Sequence, residues 1–166
     1  MIQSRLQTIH TIITGANLDA LALIPGANLQ YVTGIDFHLM ERPLVAFFIP
    51  GRDPVAVVPA LEVDRLRESG IPFRLFPWSD SEGYQGAFEA AAAELRLSGR
   101  RLGVEELRMR VLESELLRRH IPGVQIVMAG GQLAALRLRK DEHDLAALRE
   151  AIRISEEALR ACLDSV

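Results

Sequence analysis

Six short apolar runs punctuate this chain, and none is long enough to form a helix that packs by itself. They are LDALALI (18–24), LVAFFI (44–49), VAVV (55–58), PFRLFPW (72–78), RRLGVE (100–105) and VQIVMA (124–129). Runs of this length, bounded by Gly, Pro and Asp, read as strands. The turn PGRDP joins the second to the third and predicts an antiparallel hairpin. Elsewhere a helical pattern intervenes. Ile2, Leu6, Ile9 and Ile13 mark one face of a first helix that stops near Gly15. ALEVDRLRESG carries Leu61, Asp64 and Leu66 at helical spacing and stops at Gly70. The alanine-rich segment turns helical from about Gly86 and is expected to close at Gly99. VLESELLRRH runs into Pro122-Gly123, and the chain from Gly130 reads as helical almost to its end, with a break near Lys140-Asp141. Strands alternating with helices, apart from one hairpin, define an α/β fold. It is a mixed β-sheet of about six strands flanked by helices and followed by a C-terminal helix.

Composition narrows the function classes. The 166 residues are 49% apolar and 25% charged, with a net charge of −3, which speaks against a nucleic-acid partner because phosphate binding relies on a dense basic patch. Cys162 is the single cysteine, so no internal disulfide forms; it reads as a small apolar residue on a helical pattern. MIQSRLQTIHTIITG lacks the continuous apolar core of a signal peptide, and no stretch of about 18 apolar residues predicts a membrane span. The expected location is the cytoplasm.

The common catalytic signatures are absent. There is no G-x-G-x-x-G after a strand, no G-x-x-x-x-G-K-[ST] and no G-x-S-x-G. His10, His38, His120 and His143 are scattered, so no metal site is expected. His10 reads as solvated, and His120 as a cation suited to a helix C-terminus. DEHD (141–144) reads as an acidic helix start, where carboxylates complement the positive end of the dipole. A magnesium-dependent nuclease would need carboxylates clustered at strand ends. LDALALI, LVAFFI and VAVV carry almost none.

One segment holds more chemistry than a connector needs. NLQYVTGIDFHLMERP (28–43) reads as a loop and packs Phe37, His38, Met40, Glu41 and Arg42 ahead of the second strand. In a purely architectural role, Tyr31 and Val32 pack, Gly34 turns the chain, Phe37 and Met40 plug the core edge, and Glu41-Arg42 form a solvated pair. In a functional role, Phe37, His38, Glu41 and Arg42 face a ligand or another subunit, since loops on a rigid scaffold are where such roles concentrate.

Asn28, Tyr31, Thr33 and Gly34 form an Asn-x-x-Tyr-x-Thr-Gly pattern that resembles the creatinase/prolidase (M24 metallopeptidase) family, in the amino-terminal domain of its Xaa-Pro aminopeptidases and dipeptidases. LRLRKDEHDLAALREAIRISEEAL, near the chain's end, resembles that family's junction to its second domain. The resemblance spans the chain in order. It implies a creatinase amino-terminal domain with a ribonuclease-H-like sheet over 1–138, and over 139–166 a linker and the first helix of a catalytic domain that lies beyond. It implies that this part is not catalytic by itself, and restricts substrate and supports dimerisation. The parent would be a metal-dependent hydrolase of peptide bonds preceding proline, with two divalent metal ions held by two aspartates, a histidine and two glutamates of the other domain. No residue of this chain is matched to a catalytic or metal-binding role. Implied partners are the catalytic domain in cis, a second copy in a homodimer and a proline-containing peptide. The Ile35–Pro43 loop is then the element expected nearest substrate, where an aromatic ring, an imidazole and a guanidinium would limit substrate length or bind a terminus. Two alternatives share the same sequence: the equivalent domain of a creatinase-like amidinohydrolase, and a stand-alone ligand-binding module. Leu145, Leu148, Ile152, Leu159 and Leu163 form an apolar stripe on the last helix, a surface that calls for a partner.

Overall fold

A computed structural model describes residues 2–138 and 140–163, with the side chain of Ile2 outside the description. The chain divides into two compact units, Met1–Leu136 and Arg137–Val166.

The first unit is built on a six-stranded sheet. Its strands are β1 (Ala20–Leu23), β2 (Val45–Phe48), β3 (Val55–Pro59), β4 (Arg74–Trp78), β5 (Arg101–Val104) and β6 (Gln125–Met128), in spatial order β4-β3-β2-β1-β5-β6. β2 runs antiparallel to both of its neighbours, with Leu21 opposite Phe48 and Ala46 opposite Ala56. The pairs β1–β5, β3–β4 and β5–β6 are parallel. All six expected runs are therefore strands, and the expected hairpin is β2–β3.

Side-chain alternation divides the core into two layers, as a period of two requires. Leu21, Leu23, Ala46, Phe48, Ala56 and Val58 face one side, with Ile9 and Ile13 of α1 (Ile2–Gly15) and Leu66 of α3 (Val63–Arg67) in the same cluster. Ala20, Ala22, Val45, Phe47, Val55 and Val57 face the other, with Phe88 and Leu95 of α4 (Gln85–Leu95) and Leu116 and Leu117 of α5 (Val111–His120). A sheet covered on both faces needs near-continuous apolar strands rather than alternating ones, which is why ALAL, VAFF and VAVV carry no charge.

Several expectations need correction. Residues 28–33 are not loop: Ala27–Thr33 is a helix, α2. It buries Leu29, Val32 and Thr33 and ends at Gly34, which takes the left-handed conformation (φ 76°) and donates its N–H to the Gln30 carbonyl. Seven residues give too little periodicity to reveal a helix from sequence. α4 closes at Arg96, in the left-handed region at φ 55°, rather than at Gly99. The helix expected to carry Leu61 with Asp64 and Leu66 begins only at Val63, and Leu61 lies in a preceding 3₁₀ turn, Ala60–Glu62, where it is exposed. Met40 is exposed too and does not plug the core edge, while His10 is half-buried.

The sequence motif Asn28-x-x-Tyr31-x-Thr33-Gly34 is a fastening device. Asn28 Nδ2 donates to Oε1 of the buried Glu105 at 2.8 Å, and the other carboxylate oxygen accepts the Ile24 N–H at 3.3 Å. Arg5 lies 4.0 Å over the Tyr31 ring and donates to the Tyr31 carbonyl. Thr33 Oγ1 donates back to the Leu29 carbonyl and accepts the Ile35 N–H. Asn28 thus ties α2 to the end of β5, Tyr31 ties it to α1, and Thr33 and Gly34 stop it.

In the second unit, α7 (Glu142–Leu163) starts as the acidic signal predicts. Asp144 N–H donates to Asp141 Oδ1 at 2.8 Å and Asp141 N–H returns a bond to Asp144 Oδ2, a reciprocal capping box. Leu148, Ile152, Leu159 and Leu163 of its stripe are exposed, and so is Cys162, which is not packed as a core residue. Among the described residues no helix is long and apolar enough to cross a membrane.

Gly103, in β5, leaves no room for a side chain. A Cβ there would lie 2.6 Å from Leu18 Cδ1 and 3.2 Å from the Ala129 Cβ. Gly103→Ala is expected to cost about 1–3 kcal/mol by overpacking, read as a lower urea midpoint at unchanged slope.

Candidate functional site

The antiparallel placement of β2 has a geometric consequence. β1, β3, β4, β5 and β6 all run out at one end of the sheet, and β2 starts there. The 35–43 segment enters β2 at this same end, beside the turns that leave the other strands.

The loop is pinned at both ends and in its middle. Phe37 is 4% exposed and Leu44 is 3% exposed, so each is locked in the core. Arg65 of α3 donates to the Asp36 carbonyl at 2.5 Å, and its guanidinium lies 5.3 Å from the Phe37 ring centre. The Trp78 indole N–H donates to the Pro43 carbonyl at 3.1 Å. Arg42 grips Asp80, in the turn after β4, with Nε at 2.9 Å and Nη2 at 2.5 Å. That hydrogen bond, with the Asp80 charge, raises the Arg42 pKa, and it holds the Asp80 carboxyl below the usual carboxylate range. Arg110, at the N-cap position of α5, donates Nη1 to the Met40 carbonyl at 2.5 Å. Its Nε and Nη2 bind the fully buried carboxylate of Glu113. The Glu113 hydrogen bond raises the Arg110 pKa against the effect of burial, and the charges of Glu113 and Glu41 add to it.

The expected site residues therefore separate. Phe37 belongs to the core. Arg42 is committed to Asp80, and Glu41 is its second, longer ion pair at 3.5 Å. His38 and Glu41 are exposed between the anchors. Asp80, Arg65, Arg110 and Glu113 were not legible as site residues: Arg110 is 70 positions from Met40 and Asp80 is 38 from Arg42, and no local pattern encodes such pairs.

What most distinguishes this end is its surface. Leu39, Met40, Leu61, Leu107, Val111 and Met128 are the exposed large apolar side chains among the described residues of the first unit, and all lie on segments at this end. Leu107 is 93% exposed and Leu61 81%. Surfaces of this kind mark sites of contact. The charges beside them are largely self-neutralised, in Arg42–Asp80, Arg65–Glu62 and Arg110–Glu113. Between loop and sheet lies a recess of about 40 Å³ lined by Phe37, His38, Met40, Leu44, Pro59 and Leu61. A small-molecule site runs to several hundred Å³, so the recess is one wall of a site and not a whole one. The larger open groove, beside His10, Arg52, Arg74 and Glu94, has its charges engaged in structure: Arg52 caps the end of α4 at the Glu94 and Leu95 carbonyls, and Glu94 pairs with both arginines. Among the described residues no group of three or more His, Cys, Asp or Glu is placed to hold a metal ion.

Residues 5–139 match the profile of the Creatinase/Prolidase N-terminal domain. The chain belongs to this family. Within it, a Bacillus subtilis (strain 168) protein named "Putative dipeptidase YkvY" is 26% identical over 153 residues, which are 92% of this chain and 42% of that protein. The chain thus spans less than half of that relative's length. The fold of this creatinase/prolidase amino-terminal domain is also that of a recombinant prolidase from Thermococcus sibiricus, with a TM-score of 0.87 at 20% identity over 99% of this chain and 44% of that one. The N-terminal domain of Xaa-Pro dipeptidase from Lactobacillus brevis superposes with a TM-score of 0.68 at 21% identity, covering 78% of this chain and 98% of that one.

The Arg42–Asp80 pair makes a signed prediction. Asp80 has a depressed folded pKa, so its contribution is present at neutral pH and is lost as pH falls below about 4 toward the folded value. Asp80→Asn is expected to lower stability slightly at pH 7 and by less at pH 2.5, and 0.5 M salt should shrink the difference at pH 7. Paired urea titrations at both pH values check it.

Proposed function

We propose that this chain is the non-catalytic amino-terminal domain of a metal-dependent Xaa-Pro dipeptidase, and that its loop end walls the substrate cleft of a catalytic domain. The observation that carries this reading is the collection of the domain's exposed apolar side chains at the end where the loop enters β2. Such a rim has value only when another surface covers it. The small recess supports the same conclusion over that of a stand-alone binding module, because it supplies apolar contact on one side and no enclosure.

Two divalent ions would supply the hydrolytic water's activation, and the described residues of this chain offer no set to hold them. The chain's part is binding and exclusion. His38 and Glu41 stand exposed between anchored neighbours, and in this reading they meet the terminus of a short peptide or block a longer one. Homodimerisation belongs to this reading, with the α7 stripe and the apolar rim as the surfaces to be covered. So does a cytoplasmic, reducing location, which suits the exposed lone thiol of Cys162.

The test uses the protein that joins this domain to its catalytic half. An Xaa-Pro dipeptide and an Xaa-Pro-Xaa tripeptide are compared as substrates. His38→Ala and Glu41→Ala are each expected to change the ratio of kcat/KM between the two by about tenfold, the worth of one hydrogen bond to a charged group. Unchanged ratios in both variants would remove the loop from the substrate site. Hydrolysis of the dipeptide by residues 1–166 alone would overturn the non-catalytic assignment.

A further inference from the structure

The residues between Phe37 and Leu44 form a strap anchored in the core at each end, and its middle is held from two directions. The holds differ in kind. Arg42 and Asp80 are 32% and 62% exposed, so water and salt compete for their fork. Arg110 is held by a carboxylate with no exposure at all. Its Nε and Nη2 are committed to Glu113, and Nη1, in the same rigid plane, reaches the Met40 carbonyl. A buried carboxylate stripped of its partner is strongly unfavourable, so Glu113 fixes the guanidinium and the fixed plane aims Nη1. An acid suits the first turn of α5, where Glu113 lies, but the helix dipole does not require that acid to be buried. Leu116 and Leu117 fill neighbouring buried positions of the same helix with apolar side chains, and an apolar residue at 113 would escape the desolvation cost.

We propose that Arg110 is a positioning residue: seated on buried Glu113, it latches the Met40 carbonyl and sets the conformation in which the strap presents His38 and Glu41. The use of that conformation rests on the functional reading above, but the latch stands on geometry alone. Glu113 acts through Arg110, so the two form one unit. Arg42–Asp80 is a second, salt-sensitive hold. At high ionic strength the middle of the strap therefore depends on Arg110, while the buried Trp78 N–H to Pro43 carbonyl bond keeps its end near Leu44.

The test follows cleavage of the 166-residue chain by a glutamyl endoprotease in 0.5 M salt. Cleavage after Glu41 reports opening of the strap, and cleavage after Glu89 in α4 reports unfolding of the domain. Arg110→Lys keeps the charge but lacks the fork that serves Glu113 and Met40 together. Arg110→Lys and Glu113→Gln are each expected to speed cleavage after Glu41 by about tenfold or more, with Glu89 unaffected. The double variant should go no further than either single one, as for partners in a single unit. An unchanged rate after Glu41, a parallel rise at both sites, or additive effects in the double variant would each overturn the proposal. Where Glu113→Gln loses its fold, a nitroxide on Leu39→Cys in a Cys162→Ser background tests Arg110→Lys: urea too dilute to unfold either chain should mobilise it in Arg110→Lys first, and equal mobility would overturn the latch. None of these measurements involves catalysis. A failed latch with altered His38 kinetics leaves the functional reading standing, and the converse result leaves the latch.

Discussion

β1 has no contact with water on either face and bonds to a neighbour along each edge. Everything else is arranged around that strand. Ala20 and Ala22 face one layer of helices and Leu21 and Leu23 the other, so both layers register on the same four residues. Its two edges impose opposite directions, with β2 antiparallel and β5 parallel. A parallel neighbour requires a crossover and an antiparallel one does not. β1 is thus the place where the topology changes, and the chain leaving it passes through Pro25, Gly26 and α2 before it returns as β2.

That change of direction creates the end that holds the candidate site. Because β2 enters where the other strands exit, the one long loop of the sheet lies among the exit turns of its neighbours. Arginines from α3 and from the N-cap of α5 then reach loop carbonyls, while the loop's own Arg42 reaches the turn after β4. A planar fork with several donors suits this task, since one side chain can satisfy a carboxylate and a carbonyl together. Buried Glu105 does comparable work one strand away, accepting from Asn28 and from the Ile24 amide, so it ties α2 and the end of β1 to the end of β5. The result is a rigid base with a tethered strap and an apolar rim, a surface suited to being covered.

Legibility followed the range of the interactions. Strands written as continuous apolar runs could be read directly, because burial on both faces leaves no room for other residue types. The acidic start of α7 was equally plain, since capping is settled within four residues. α2 escaped because seven residues carry less than two full repeats, and its Thr-Gly terminus looks the same as a loop turn until the Thr33 hydroxyl is seen bonding back to Leu29. In the architectural reading of the loop Met40 was expected to plug the core edge and is exposed, because a hydrophobic side chain in sequence carries no label for core or interface. At the site, His38 and Glu41 were found as exposed loop residues, whereas the partner of Arg42 and the bridge from Glu113 through Arg110 to Met40 depend on chain segments brought together by the sheet.

The sequence by itself determined the class of fold, the strands and most helices, and through its ordered motifs the family to which this domain belongs. Those properties arise from local periodicity, turn chemistry and capping, which act over a few residues. Only the tertiary structure decided that the Asn28–Gly34 motif fastens a helix, that Phe37 is core while His38 is surface, and that the exposed large apolar residues described in the first unit share one end. Each of these follows from strand direction and register, and direction is a property of pairs of segments that no single segment encodes.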